Sequence, residues 1–201
     1  VRSRGLGDVY KRQEQYVEMA LQYQRLDSET TDFVFEETDL DEIIRTSVRK
    51  YARQFIAKKI SLSYEPVERT VITDKKWLSF VIEQVISNAV KYTKTGGIKI
   101  YLEDGDGTMS VPVQKASHRK EDDGENSGMK SVRLVIEDTG IGIRAEDLPR
   151  ICEMGYTGCN GHEGQHSSGI GLYLCSRILK KLGHTFSITS KEWVGTVVKI
   201  G

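Results

Sequence analysis

Residues 138–143 read Asp138-Thr139-Gly140-Ile141-Gly142-Ile143, and they follow directly on the apolar run Val132 to Glu137. The run reads as a β-strand. The two glycines after it let the backbone approach a ligand closely. A carboxylate at a strand end can accept a hydrogen bond from an exocyclic amine such as adenine N6. On its own, Asp-x-Gly-x-Gly is equally the signature of a strand-to-helix turn with an aspartate cap. Its neighbours in the chain have to decide.

Upstream, Asp74 is a good N-cap for a helix predicted over 75–93. At 100° per residue, Gln84, Asn88, Lys91 and Tyr92 fall within one arc, while Leu78, Ile82, Val85, Ile86 and Ala89 fall mostly opposite. One face is core. The other presents two amides, an ammonium and a phenol, which alone would describe an ordinary solvated face. Glu83 is turned about 100° away from that polar arc.

Downstream, Ser167-Ser168-Gly169-Ile170-Gly171-Leu172 opens a helix predicted over 169–182. Exposed N–H groups and the positive end of a helix dipole make a phosphate site. Serine is also an ordinary helix cap. No Gly-Lys-Ser/Thr comes after it, so this is not a P-loop. The strand–glycines–helix unit of a dinucleotide fingerprint is missing too.

Around these clusters the chain alternates elements. Residues 14–26 are rich in helix formers, with Val17, Ala20, Leu21 and Gln24 along one stripe. Phe33-Val34-Phe35 is expected to begin an edge strand. Asp39 caps an amphipathic helix over about 40–56, with Asp41 and Glu42 in its first turn. Ile60–Tyr64, Thr70–Thr73 and Ile98–Leu102 read as strands, and 184–190 with 194–200 as a closing hairpin. Residues 104–130 are polar, with glycines and a charged run, and read as a disordered insert; 144–168 form a second loop. Elements alternating in this way, with one-sided helices, predict a two-layer α/β sandwich: a mixed sheet with three helices on one face. Residues 1–13 are basic and glycine-interrupted, with no apolar period, unlike the rest of the chain. They resemble a translated cloning scar, a non-native leader.

Composition narrows the class. With 38% hydrophobic and 29% charged residues and zero formal net charge, the 201-residue chain is globular, with no global field toward nucleic acid. Its apolar runs are far too short to span a bilayer. Cys152, Cys159 and Cys175 lack any framework spacing and suggest reduced thiols. Cys152, Cys159, His162 and His166 lie close in sequence, but in no usual zinc spacing.

Taken in order, Ser87-Asn88-Ala89-Val90-Lys91-Tyr92-Thr93, Asp138–Ile143, Ser167–Leu174 and Gly195–Ile200 resemble the N, G1, G2 and G3 boxes of bacterial sensor histidine kinases. Their catalytic domain has the Bergerat ATP-binding fold shared with gyrase, MutL and heat-shock protein ninety. The resemblance covers residues 36–201, and 14–35 look like the remnant of a dimerisation helix and linker. Trp77-Leu78-Ser79-Phe80, Glu83-Gln84 and Gly155-Tyr156-Thr157-Gly158 look most like the small Gram-positive kinases that work beside peptide-antibiotic transporters.

The resemblance implies roles. Asn88 would hold Mg2+ between the ATP phosphates, Lys91 would contact them, and Tyr92 would border the nucleotide. Asp138 would accept from adenine N6, with Gly140, Gly142 and Ile143 around the base and Thr196 bordering the pocket. Residues 144–168 would be an ATP lid, with Tyr156 and Thr157 in it. Ser168, Gly169, Ile170, Gly171 and Leu172 would lie at the phosphates. Gln84 stands where these kinases commonly carry Asn and the related ATPases carry a glutamate base, so hydrolysis by this chain is not expected. His162 replaces a common lid arginine. The expected reaction is transfer of the γ-phosphoryl to a histidine on a dimerisation domain that this sequence lacks. The implied partners are that domain in a homodimer, a response regulator, and a peptide-transport ABC permease, at the cytoplasmic face of the plasma membrane. No nucleic acid is implied.

Overall fold

The computed structural model describes residues 33–104, 132–158 and 168–201, together with Val17, Met19, Leu21, Gln24 and Leu26 of a helical N-terminal stretch. The expected leader, most of the 104–130 insert, and Cys159, His162 and His166 lie outside the described residues.

Local chemistry starts the first two helices where the sequence predicts them. The Asp39 carboxylate accepts from the N–H groups of Asp41 and Glu42 and opens α1, Leu40–Lys58. Asp74 does the same for Trp77 and opens α2, Lys75–Tyr92. The third helix, α3, spans Gly171–Leu182. It starts two residues later than expected because Gly169 has φ +67°, outside helical space. Its C-terminus closes on Gly183 in the left-handed region.

The strands are β1 (Glu36–Asp39), β2 (Ser61–Tyr64), β3 (Thr70–Thr73), β4 (Gly97–Asp104), β5 (Val132–Asp138), β6 (Phe186–Lys191) and β7 (Gly195–Ile200). Five of them form a mixed sheet in the order β2-β4-β5-β7-β6, with β2 parallel to β4 and the other pairs antiparallel. β1 and β3 form a separate two-stranded antiparallel ribbon. The expected strand at Phe33–Phe35 begins instead at Glu36, because β3 ends where Asp74 turns into α2. The Asp74 carboxylate takes the Val34 N–H at 3.0 Å, in place of a ladder partner.

Register explains how the layers pack. Ile98, Ile100 and Leu102 pair with Asp138, Ile136 and Leu134, which pair in turn with Thr196, Val198 and Ile200. These residues share one sheet face. Their apolar members join the core with Ile43, Ile44, Ile82, Ile86, Leu174 and Ile178 from the three helices. The opposite face carries Lys99, Glu103, Arg133 and Lys199, with Lys199 and Glu103 paired at 2.6 Å. The predicted two-layer sandwich with helices on one face is therefore the fold.

Val17 and Leu21 are exposed, whereas Leu26 is buried in the core and its carbonyl accepts from Lys181 Nζ.

Candidate nucleotide site

At one end of the helix-facing sheet surface the side chains change from apolar to polar. The register there runs Ile98, Asp138, Thr196, Ser190. A cavity of about 570 Å3 opens over this row, between the sheet and the helices. Of the residues expected at a nucleotide, Gln84, Asn88, Lys91, Tyr92, Asp138, Gly142, Ile143, Tyr156, Thr157, Ser168, Gly169, Gly171, Leu172 and Thr196 all line it. Gly140 and Ile170 do not line it. Gly140 donates its N–H to Asp138 Oδ1 at 2.8 Å, and Ile170 packs against the core.

Asp138 is the last residue of β5 and is 9% exposed. Burial pushes its carboxyl up to about 6, partly offset by backbone N–H donors at Gly140 and Thr196. On the opposite wall, Gln84 Nε2 donates to Asn88 Oδ1 at 3.4 Å. Lys91 Nζ sits 5.0 Å over the Tyr92 ring. The N-terminus of α3 meets the same space, and no side chain caps it. That removes the reading of Ser168 as an ordinary helix cap: its hydroxyl accepts from Ile170 N–H, outside the helix. The first N–H groups of α3 remain as donors toward the cavity.

The glycines serve protein packing as much as the cavity. A Cβ on Gly142, at φ +66°, would lie 2.1 Å from the Lys191 carbonyl. A Cβ on Gly169 would lie 2.4 Å from the Gly155 backbone, whose N–H donates to Gly169. Gly142 thus admits the β6–β7 turn, and Gly169 seats the 144–158 loop. We expect Gly142→Ala to destabilise the fold by about 2–4 kcal/mol, from left-handed strain plus a backbone clash, read as a lowered denaturant midpoint. Gly171 differs, since its nearest neighbour would be the flexible Gln84 amide at 2.4 Å.

Sequence reasoning missed several residues. Ser190 Oγ accepts from Ile143 N–H at 2.9 Å and lies 3.0 Å from Thr196 Oγ1, tying two cavity segments together. Nothing local marks that serine, because its partner lies 47 residues away. Asp147 is buried, borders the cavity and accepts from Tyr156 OH. Glu83 also lines the cavity, although helical geometry turns it away from the polar arc. The opening reaches α1, where Lys50 pairs with Glu83 at 2.5 Å, so both sides of α2 border it at this level. Among the described residues, no group of three or more His, Cys, Asp or Glu could hold a metal ion. Cys152 forms no disulfide, and Cys159, His162 and His166, its neighbours in sequence, lie outside them.

The comparisons with known proteins bear on the family and the fold. Residues 73–201 match the family described as histidine kinase-, DNA gyrase B-, and HSP90-like ATPase, and the chain belongs to that family. It is 33% identical over 187 residues to the sensor histidine kinase YxdK of Bacillus subtilis, covering 91% of this chain and 50% of that protein. It is 30% identical over 177 residues to the sensor protein kinase GraS of Staphylococcus aureus, covering 88% of this chain and 44% of that one. The chain thus spans about half the length of these curated relatives. Full-length ShkA in complex with AMPPNP superposes with a TM-score of 0.71 at 18% identity, over 100% of this chain and 38% of that one. ThkA in complex with the response regulator protein TrrA superposes at 0.65 and 21%, over 96% and 48%. At those identities the structural likeness is one of fold. Among the described residues, no helix is long and apolar enough to cross a membrane.

Proposed function

We propose that residues 36–201 are the catalytic ATP-binding domain of a sensor histidine kinase, and that residues 14–35 are the end of its dimerisation helix and linker. The observation that carries this reading is one cavity with two unlike ends. Buried Asp138 and half-buried Thr196 offer a polar floor suited to an adenine edge. Asn88, Lys91 and the uncapped α3 N-terminus offer an amide oxygen, a cation and free N–H groups suited to phosphates.

In this reading the chain acts by positioning and by neutralising charge, as phosphoryl transfer requires. Asp138 holds the base. Lys91 and the α3 N-terminus hold the phosphates with the γ-phosphorus toward the acceptor. An acceptor imidazole nitrogen forms the new N–P bond as the bond from the γ-phosphorus to the β,γ-bridging oxygen breaks, and ADP leaves with that electron pair. Asn88 Oδ1 would hold magnesium, being an oxygen donor of the kind that ion takes beside phosphates, and the ion would supply charge neutralisation there. Gln84 cannot remove a proton from water, and the Glu83 carboxylate is engaged by Lys50, so the same site is poorly equipped for hydrolysis. The acceptor histidine, a homodimer, a response regulator and a peptide-transport permease, at the cytoplasmic face of the plasma membrane, complete the proposed parent protein.

The test is thermal. A ligand selective for the native state adds about 2.7 kcal/mol at a hundredfold excess over Kd, or about 5–10 °C in Tm for a domain of this size. Mg-ATP should produce that rise. No shift at millimolar Mg-ATP would overturn the reading.

A further inference from the structure

The cavity wall formed by Lys91 and Tyr92 is the last turn of α2, where backbone carbonyls have no helical partner. Here they are satisfied from outside the helix. Lys58, at the end of α1, directs its ammonium at three of them: Val90 O at 2.6 Å, Lys91 O at 3.0 Å and Thr93 O at 3.3 Å. The remaining carbonyl of the set, Tyr92 O, accepts from Ile141 N–H at 3.2 Å. Gly140 leaves room for that approach, since a Cβ there would meet Tyr92 O at 2.8 Å. Four successive carbonyls are thus held, three by one cation. A cation is also electrostatically favoured at a helix C-terminus. Lys58 is absent from the cavity lining, so its influence on a ligand has to pass through the turn it holds.

We propose that Lys58 is a positioning residue for the phosphate end of the site: it fixes the last turn of α2 so that Lys91 meets the nucleotide phosphates. This rests on the nucleotide-binding reading above. The carbonyls it gathers belong to Lys91 itself, to Val90 before it and to Thr93 two residues on. Without the ammonium, Val90 O, Lys91 O and Thr93 O would seek water, and the turn would fray. Lys91 would then sample rotamers and backbone positions away from the phosphates. The adenine end would keep its geometry, because Asp138, Thr196 and Ser190 are fixed by the β5–β7–β6 ladder, and its tie to α2, Ile141 N–H to Tyr92 O, does not involve Lys58.

The experiment is a binding cycle by calorimetry or ligand-detected magnetic resonance, well below the melting temperature of every variant. Lys58→Met keeps the aliphatic stem and removes the ammonium. It should raise the Kd for Mg-ATP about tenfold and change that for adenosine less than twofold. Lys58→Arg, which restores donors and charge, should stay within threefold of the parent chain. In a Lys91→Met background the Lys58→Met change should cost less than twofold, because two residues that act as a unit are not additive. A general stabilising role would instead weaken ATP and adenosine alike, or cost the same tenfold in both backgrounds, and either result overturns the proposal. So does an unchanged Mg-ATP affinity in Lys58→Met. Should Lys58→Met fail to fold, Lys58→Gln, which retains one amide donor, is read by the same criteria. A parent chain that does not bind Mg-ATP would overturn the nucleotide reading itself, and this inference with it.

Discussion

Asp138→Asn should abolish most of the thermal shift produced by Mg-ATP and, at the same time, make the free protein more stable. The two effects have one cause. Asp138 is buried with its carboxyl pushed up to about 6, so at pH 7.5 the fold bears the cost of an ionised group in a poorly solvated place. The neutral amide removes that cost. The displacement from 3.8 to about 6 corresponds to at most about 3 kcal/mol, and cavity water reduces it, so about 1–2 kcal/mol of added stability is expected. Binding moves the other way. An adenine amine that met a carboxylate would meet an amide able to present N–H, and a site that loses its matched acceptor discriminates by factors of about a hundred or more.

The same residue sets a pH signature. Between about 3.8 and about 6 the native state holds more protons at Asp138 than the unfolded chain does. Stability of the free protein from this group therefore rises as pH falls through that window, and is constant above it. Nucleotide binding requires the carboxylate and should weaken up to tenfold per pH unit below about 6. Asp41 acts oppositely: its carboxyl is held low by the Tyr64 hydroxyl, so the stability it contributes is lost as pH falls through its depressed value. The difference between parent and Asp138→Asn isolates Asp138 from such groups. Parallel pH profiles for the two would show that Asp138 does not touch the ligand.

The range of each interaction decides whether the sequence reveals it. Asp39 and Asp74 were legible as caps because a cap bonds N–H groups two or three residues away. The polar arc of α2 was legible because helical geometry alone brings Gln84, Asn88 and Lys91 to one side. Phe33-Val34-Phe35 misled because apolar character alone secures no ladder partner, and Val34 and Phe35 are exposed. Phe33 stacks 5.9 Å from Trp77, and the Val34 N–H goes to a carboxylate 40 residues on. The β1–β3 ribbon, the Ser190 hub and the Lys58 clamp depend on register and on helix–helix approach, which no local pattern encodes. The glycines were marked correctly as sites of close approach, yet what approaches Gly142 and Gly169 is the protein's own backbone. Sequence pattern tells that a Cβ is excluded, not by what.

The largest effect is expected in activity. The isolated chain should bind ATP and yet fail to phosphorylate itself, because phosphoryl transfer depends on an acceptor held in line with the γ-phosphorus. Of its four histidines, His184 is the one among the described residues. Its ring lies between Thr73 Oγ1, 3.1 Å from Nε2, and the Gly201 carbonyl, 3.2 Å from Nδ1. Both nitrogens are thus engaged at the far end of α3 from the phosphate donors, and burial keeps the ring neutral to lower pH than usual. His118, His162 and His166 lie outside the described residues, in segments that the sequence reads as an insert and a lid, and none is expected to be an acceptor. Supplying a separately expressed dimerisation domain from the parent protein should restore transfer in trans. Asn88→Asp keeps the shape of the proposed metal ligand but adds a charge beside Gln84 and the expected phosphates; it should lower that transfer by about two orders of magnitude or more while leaving the fold intact. The measurement is acid-labile, base-stable label from γ-labelled ATP, with circular dichroism as the control for folding. Strong label on the isolated chain, mapped to any of its own histidines, would place the acceptor within this domain and refute the division of labour between the two domains. Undiminished transfer by Asn88→Asp would remove Asn88 from the metal site.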